Sequence, residues 1–381
     1  MQWRRQGPSL GRQMSATTVL LLIVGLVALV VGAEGLVRGA SRLAARTGMS
    51  SVVIGLTVVA FGTSAPELAV SVGDSIRGGE EAGSIAIGNV VGSNIANILL
   101  VLGLAAAVGG SLFVAQRIVQ LDVPIMIGIS VLVLLFVLDE QLGRIEGVIL
   151  VVLLVSYISW TVIVATRGTA PAVVAEYDEA LDPEKLAQSS VLVDLGYLVA
   201  GLALLVVGSQ ALVSSASDIA GALGVSDLVI GLTVVAIGTS LPEVATSVLA
   251  ALRGERDLAV GNAIGSNLFN LLAVLGITAI VSPNALPVAA GAVRIDIPVM
   301  VAVAVACLPV FANGHVLNRW EGIVFLVLYG GYILWLVLDA NDHGFRDGYG
   351  SVMVFFVIPV IAVTIMVMWA RGRSATFNAP S

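Results

Sequence analysis

The 381-residue chain has a single cysteine, Cys307, and two histidines, His315 and His343. One thiol excludes an intramolecular disulfide and any multi-cysteine metal site. Two histidines, both in polar stretches, argue against zinc chemistry or histidine-based catalysis inside a membrane. Charge is scarce too, with Lys, Arg, Asp and Glu making up 11% of residues. The net charge of −7 comes from loops, chiefly residues 176–184, and reads as solvated surface with no nucleic-acid partner implied. No segment is polar over enough length to form a soluble domain. What fills the chain is apolar: 58% hydrophobic residues and a mean hydropathy of +1.04. That composition belongs to an all-α polytopic membrane protein.

A crossing needs about 20 apolar residues. On that measure, helices are expected at 17–38, 50–76, 84–108, 119–138 and 145–166, then at 191–215, 225–252, 257–281, 294–313 and 320–338. The chain divides into a polar N-terminal tail (1–16), a first five-helix repeat (17–166), an acidic linker (167–190), a second five-helix repeat (191–338), and an extra helix near 351–370 with its tail (339–381). Met14 is a candidate start, since the first span begins soon after it, and no small-residue cleavage site marks a signal peptide. The two sets of five align almost throughout, at an offset of 173 to 176 residues. GNVVGSNIANILLVLG at 88–103 matches GNAIGSNLFNLLAVLG at 261–276, and Gly25, Gly32 and Gly48 match Gly201, Gly208 and Gly224. A duplicated unit with an odd number of crossings enters the bilayer from opposite sides. The expected architecture is therefore an inverted repeat of 5+5 transmembrane helices plus one, with substrate held between the repeats on broken helices. Eleven of the 18 Lys and Arg residues fall on the side of the 38–46, 167–190 and 253–256 loops, which places that side in the cytoplasm and the N-terminus outside.

The chemistry concentrates in GLTVVAFGTSAPE (55–67) and its copy GLTVVAIGTSLPE (231–243). Each lies within an apolar span yet carries hydroxyls, a proline and a carboxylate. Pro66 has no N–H and its ring clashes one turn back, which should free carbonyls near Ala60 to Thr63. Glu67 and Glu243 are costly at mid-membrane depth and should face protein or water. Thr63, Ser64 and Glu67 share part of one helical face, as do Thr239, Ser240 and Glu243. Ser93 with Asn97, and Ser266 with Asn270, add a second i, i+4 pair per repeat. An inverted axis can bring these pieces to one all-oxygen pocket, the ligand chemistry of hard cations such as Ca²⁺ and Na⁺. Two glutamates balance one divalent cation, and competition of monovalent ions for the same carboxylates is what exchange requires. One copy alone would read equally well as a kink with small packing residues; two copies with a mid-membrane Glu favour the site. Gly88, Gly92, Gly261 and Gly265 are read as packing contacts, and Asn89, Asn94, Asn262 and Asn267 as structural hydrogen-bonders. Glu34, paired in the repeat with Gln210, is expected to snorkel to the interface. Asp122, Asp296, Glu146 and Glu321 sit near helix starts, where a carboxylate suits the dipole.

GTSAPE with GSNIAN, and GTSLPE with GSNLFN, resemble the two alpha repeats of the calcium/cation antiporter superfamily, most closely its prokaryotic sodium/calcium exchangers. The resemblance spans ten of the eleven expected helices. It implies a pocket of four ion sites lined by the second, third, seventh and eighth helices. Carried over by motif position, the ligands would be Ala60, Thr63, Ser64, Glu67, Ser93 and Asn97, with Ala236, Thr239, Ser240, Glu243, Ser266 and Asn270, the alanines through their carbonyls. It further implies access switching by sliding of the first and sixth helices. One departure stands out: the position of Asn270 is often an aspartate in sodium/calcium members. If that aspartate stays protonated, Asn is a near-isosteric replacement; if it must ionise, this chain binds one less cation charge or uses another ion. The expected protein is thus a Na⁺/Ca²⁺ antiporter of the prokaryotic plasma membrane, acting as a monomer in the lipid bilayer, without a tightly bound cofactor and not an enzyme. A proton-coupled cation exchanger, with Glu67 and Glu243 releasing protons as calcium binds, is the first alternative. An ion channel would use the same oxygens without coupling. A membrane hydrolase lacks a His or second acid near either Ser.

Overall fold

The computed structural model describes residues 16–77, 84–167, 190–223, 236–312 and 314–340. The expected N-terminal tail, most of the acidic linker, the start of the seventh helix and the extra helix near 351–370 lie outside the described residues. Those described are almost entirely helical: α1 (Ala16–Thr47), α2 (Ser51–Thr63), α3 (Ala65–Arg77), α4 (Ile85–Gly109), α5 (Ile118–Phe136), α6 (Arg144–Arg167), α7 (Val191–Ala222), α8 (Ala236–Thr239), α9 (Leu241–Leu252), α10 (Arg256–Val281), α11 (Ala292–Ala312) and α12 (Arg319–Ala340). Eight of these are long and apolar enough to cross a membrane, and the bent pair α2–α3 makes a ninth, among the described residues.

Two helices outrun their apolar stretches. α1 continues to Thr47 and α7 to Ala222, beyond the expected ends at 38 and 215. Hydropathy falls at Arg38, but Arg38, Arg42 and Arg46 find partners: Arg38 pairs with Glu34 one turn back, and Arg42 and Arg46 reach the buried Asp194 of α7. Tyr197 offers its ring to Arg38 and Arg42. Gly48, with φ of 66°, then ends α1 in the left-handed conformation that suits glycine at a helix C-terminus.

α1 and α7 run antiparallel along a seam of glycines. A Cβ on Gly25 would lie 2.9 Å from the Gly208 carbonyl oxygen, and one on Gly32 2.8 Å from that of Gly201. Gly25 and Gly32 are the sequence counterparts of Gly201 and Gly208, so the pairing maps onto itself when the halves are exchanged. The same exchange holds elsewhere. Gly103 of α4 meets Gly322 of α12, and Gly147 of α6 meets Gly276 of α10. The strands β1 (Leu112–Phe113) and β4 (Val316–Leu317) pair antiparallel, as do β2 (Gln141–Leu142) and β3 (Leu286–Pro287). Asn94 donates to the Met300 sulfur and Asn267 to that of Met126. Equivalent contacts made across the halves, with equivalent helices antiparallel, are what inverted repeats produce.

α4 and α10 form the interior, with 78% and 83% of their spans buried, against 28% for α1 and α7. Asp122 is more than a helix-start carboxylate: it is buried, accepts from Tyr157 at 2.9 Å and pairs with Arg117. Its counterpart Asp296 accepts from Tyr332. Glu321 does behave as expected, accepting from the Asn318 backbone N–H at 2.7 Å to cap α12. Glu34 does not simply snorkel; it bridges Arg38 and Arg253.

Candidate ion-binding site

Both GTSxPE motifs break their helix at the serine. Ser64 has φ −82° and ψ 2°, Ser240 has φ −87° and ψ 5°, and each proline follows in the first turn of the next helix. The prolines cannot donate to a preceding carbonyl, so the chain restarts at a new angle: α2 and α3 are bent by 41°. The carbonyl of Ala60 is not wholly released, since it accepts from Ser64 N at 3.0 Å and Thr63 Oγ1 at 3.4 Å. An ion reaching Ala60 would use its second lone pair. In the other half Ser240 N donates to Ile237 at 3.1 Å, a tightened turn.

Glu67 and Glu243 follow one turn past each break, in the first turns of α3 and α9. They are 0% and 1% exposed. The two carboxylates are neighbours; Thr239 and Ser93 lie beside Glu67, and Thr63 beside Glu243. Thr63 Oγ1 stands 3.2 Å from Ser266 Oγ and 3.1 Å from Asn262 Oδ1, tying α2 to α10. Ser93, Asn97, Ser266 and Asn270 are all buried on α4 and α10. Asn97 and Asn270 each open a π-helical segment, Asn97–Leu102 and Asn270–Val274. Such segments widen a helix by one residue and often mark functional sites. Nothing in the hydrophobic pattern announces them.

The hydrogen-bonding state of these side chains is unusual. Ser64 Oγ, Ser93 Oγ, Ser240 Oγ, both oxygens of Glu67 and of Glu243, and both amide atoms of Asn97 and of Asn270 are buried with no aligned partner. They make up more than half of the buried unpartnered side-chain N and O atoms among the described residues. Each such group costs about 1–3 kcal/mol, and more when charged, unless something satisfies it. Two neighbouring amides are, by contrast, engaged. Asn89 donates to Ser71 and to the Glu67 carbonyl; Asn262 donates to Ser247. The unpartnered atoms are therefore concentrated in the motif positions. They supply oxygen from two carboxylates, three hydroxyls and two amides, with no third His, Cys, Asp or Glu gathered with the two carboxylates among the described residues. Oxygen-rich, thiol-free and histidine-free, that set suits hard cations rather than transition metals.

The twelve candidate residues thus fall as follows. Ala60, Thr63, Ser64, Glu67, Ser93, Asn97, Ser240, Glu243, Ser266 and Asn270 are all buried, and Thr239 is partly so. Ala236 begins α8, one turn before the Ser240 break. Gly261 and Gly265 pack closely on α2, as a Cβ on Gly265 would lie 2.7 Å from the Leu56 Cα. The sequence counterparts of the α2 segment that would face Gly88 and Gly92 lie outside the described residues. Asn262 is closer to the site than its periodicity suggested, because it accepts from Thr63.

An antiparallel-paired bundle with two broken helices and a buried, oxygen-lined centre defines a membrane carrier for cations. The profile of the sodium/calcium exchanger protein family matches residues 17–163 and again 193–338, one match per repeat, and the chain belongs to that family. It is 41% identical over 82% of its length to CaxA of Alkalimonas amylolytica, an inferred antiporter, covering 96% of that protein. It is 34% identical to the sodium/calcium exchanger MaX1 of Methanosarcina acetivorans, over 84% of this chain and 99% of that one. Among solved structures, the sodium-calcium exchanger NCX_Mj in crystals soaked with Na⁺ and Ca²⁺ superposes with a TM-score of 0.69 at 32% identity, covering 83% of this chain and 97% of that one.

Proposed function

We propose that the protein is a secondary active antiporter that exchanges Na⁺ for Ca²⁺ across a prokaryotic plasma membrane by alternating access. The observation that carries this is the cluster of unpartnered oxygens and amides on Ser64, Glu67, Ser93, Asn97, Ser240, Glu243 and Asn270. Dehydrated cations satisfy those atoms and offset their burial. Glu67 and Glu243 supply the charge that one Ca²⁺ or a set of Na⁺ ions neutralises. Thr63, Thr239 and Ser266 add hydroxyls, and Ala60 and Ala236 add carbonyl oxygens. Because both ions claim the same carboxylates, neither half can release its charge to the bilayer interior without a replacement. That constraint couples the two fluxes. Each chain contains a complete pocket, so a monomer suffices. The N-terminus lies outside, with the basic 38–46 and 253–256 segments in the cytoplasm.

The test is Ca²⁺ uptake into proteoliposomes holding the purified full-length chain. Uptake should follow an imposed Na⁺ gradient and vanish when the gradient is collapsed. Uptake driven by a proton gradient alone would overturn the sodium assignment in favour of proton coupling. Uptake that needs no counter-gradient would make the protein a channel.

A further inference from the structure

The core is close to two-fold symmetric, but the α1–α7 pair is not centred on it. α1 packs along α9, whereas its counterpart α7 barely touches α3. Exposure records the difference: Val70 of α3 is 43% exposed, while Thr246, its counterpart on α9, is 0% exposed. Glu67 and Glu243 are buried in this conformation, and of the two helices that carry them α3 is the less covered at these positions.

The covered side carries an ion pair whose anion the repeat does not reproduce. Glu34 of α1 lies 2.5 Å from Arg253, which caps α9, with Arg38 at 2.8 Å as a second partner. Arg253 is seven residues past Thr246 and so on the same stripe of α9. The contact therefore draws α1 over the face that also bears Thr246. The repeat reproduces the cation in sequence, Arg77 for Arg253, but not the anion, which is Gln210. Gln210 is exposed on α7.

We infer that Glu34 and Arg253 form a one-sided latch, holding α1 against α9 and biasing the pocket toward access along α3. In the mirror-image arrangement, α7 over α3, the uncharged Gln210 stands where α1 has Glu34. The latch regulates the exchange reading above and rests on it.

The test uses full-length Val70→Cys and Thr246→Cys proteins in detergent, with both faces open to a small charged thiol reagent; buried Cys307 sets the background. Val70→Cys should label faster than Thr246→Cys. Adding Glu34→Gln or Arg253→Gln should lower that ratio by about threefold, the size expected for a partly exposed ion pair. Gln210→Glu, which supplies the missing carboxylate to the other half, should lower it as well and guards against a misfolded Glu34 variant. Equal labelling in the parent protein, or a ratio unmoved by all three changes, overturns the latch. Ca²⁺ uptake by the same preparations is scored separately. A chain that shows the ratio shift but no exchange keeps the latch and discards the antiporter reading. One that exchanges without the shift does the reverse.

Discussion

α4 and α10 carry Ser93, Asn97, Ser266 and Asn270 and are buried over most of their length; α1 and α7 carry no candidate ligand and face outward over most of theirs. The first pair is enclosed by neighbouring helices, some of them at close glycine contacts such as Gly265 against α2. The second touches itself along glycines, where backbones meet with little to interlock. Interiors packed to crystalline density resist deformation, while a small-residue seam brings two backbones into close approach. We read the contrast as a division between the two tasks of a carrier, with ion geometry assigned to the buried pair and access to the outward-facing pair.

The largest effect should come from the interior. Glu67→Gln or Glu243→Gln removes half the pocket's charge and should cut gradient-driven Ca²⁺ uptake at least about a hundredfold, in line with the cost of leaving a buried charge uncompensated. Normal transport by both variants would mean that the pocket is elsewhere. Next comes the seam. A side chain at Gly32 would collide with the Gly201 carbonyl and Leu205 N at 2.8 Å. Gly32→Leu should slow exchange by about tenfold, a cost of the order seen for overpacking. Equilibrium Ca²⁺ binding by calorimetry should be unchanged, because no ligand moves. Loss of binding in that variant would erase the division of labour drawn above. Smaller again is Asn270→Asp. A third carboxylate should make Ca²⁺ affinity rise with pH, by a few-fold overall, as ionisation adds an attractive charge. A flat pH profile would show that the position never ionises. Smallest is Tyr157→Phe, which leaves Asp122 short of one donor and should lower stability by about 1 kcal/mol, seen as a slightly lower Tm with exchange intact.

Much of this was legible in the chain because the strongest signals are periodic. Apolar runs located the described helices to within a few residues, except where Arg38 to Arg46 and the end of α7 continue as helix past the hydrophobic stretch. Duplication of GTSxPE and GSN singled out the candidate pocket, since a lone proline or serine in a span has too many innocent uses. The rest depends on contacts between distant residues. The Thr63–Asn262 bond and the pairing of Glu34 with Arg253 join segments that no local pattern connects, and the π-helical openings at Asn97 and Asn270 leave no trace in the apolar periodicity. Nor could hydropathy show that Asp122 turns inward to Tyr157, because that bond spans 35 residues.

The short ladders β1–β4 and β2–β3 sit at opposite ends of α5, and each rivets a loop of one half to a loop of the other. Integrity of the whole consequently does not hang on the covalent bridge at 168–189. Residues 1–166 and 191–381 made as two separate polypeptides should assemble into a working unit. A lone half, offering both members of each mirrored contact, has the complementarity to seek a second copy of itself, a trace of how a homodimer could have become one gene.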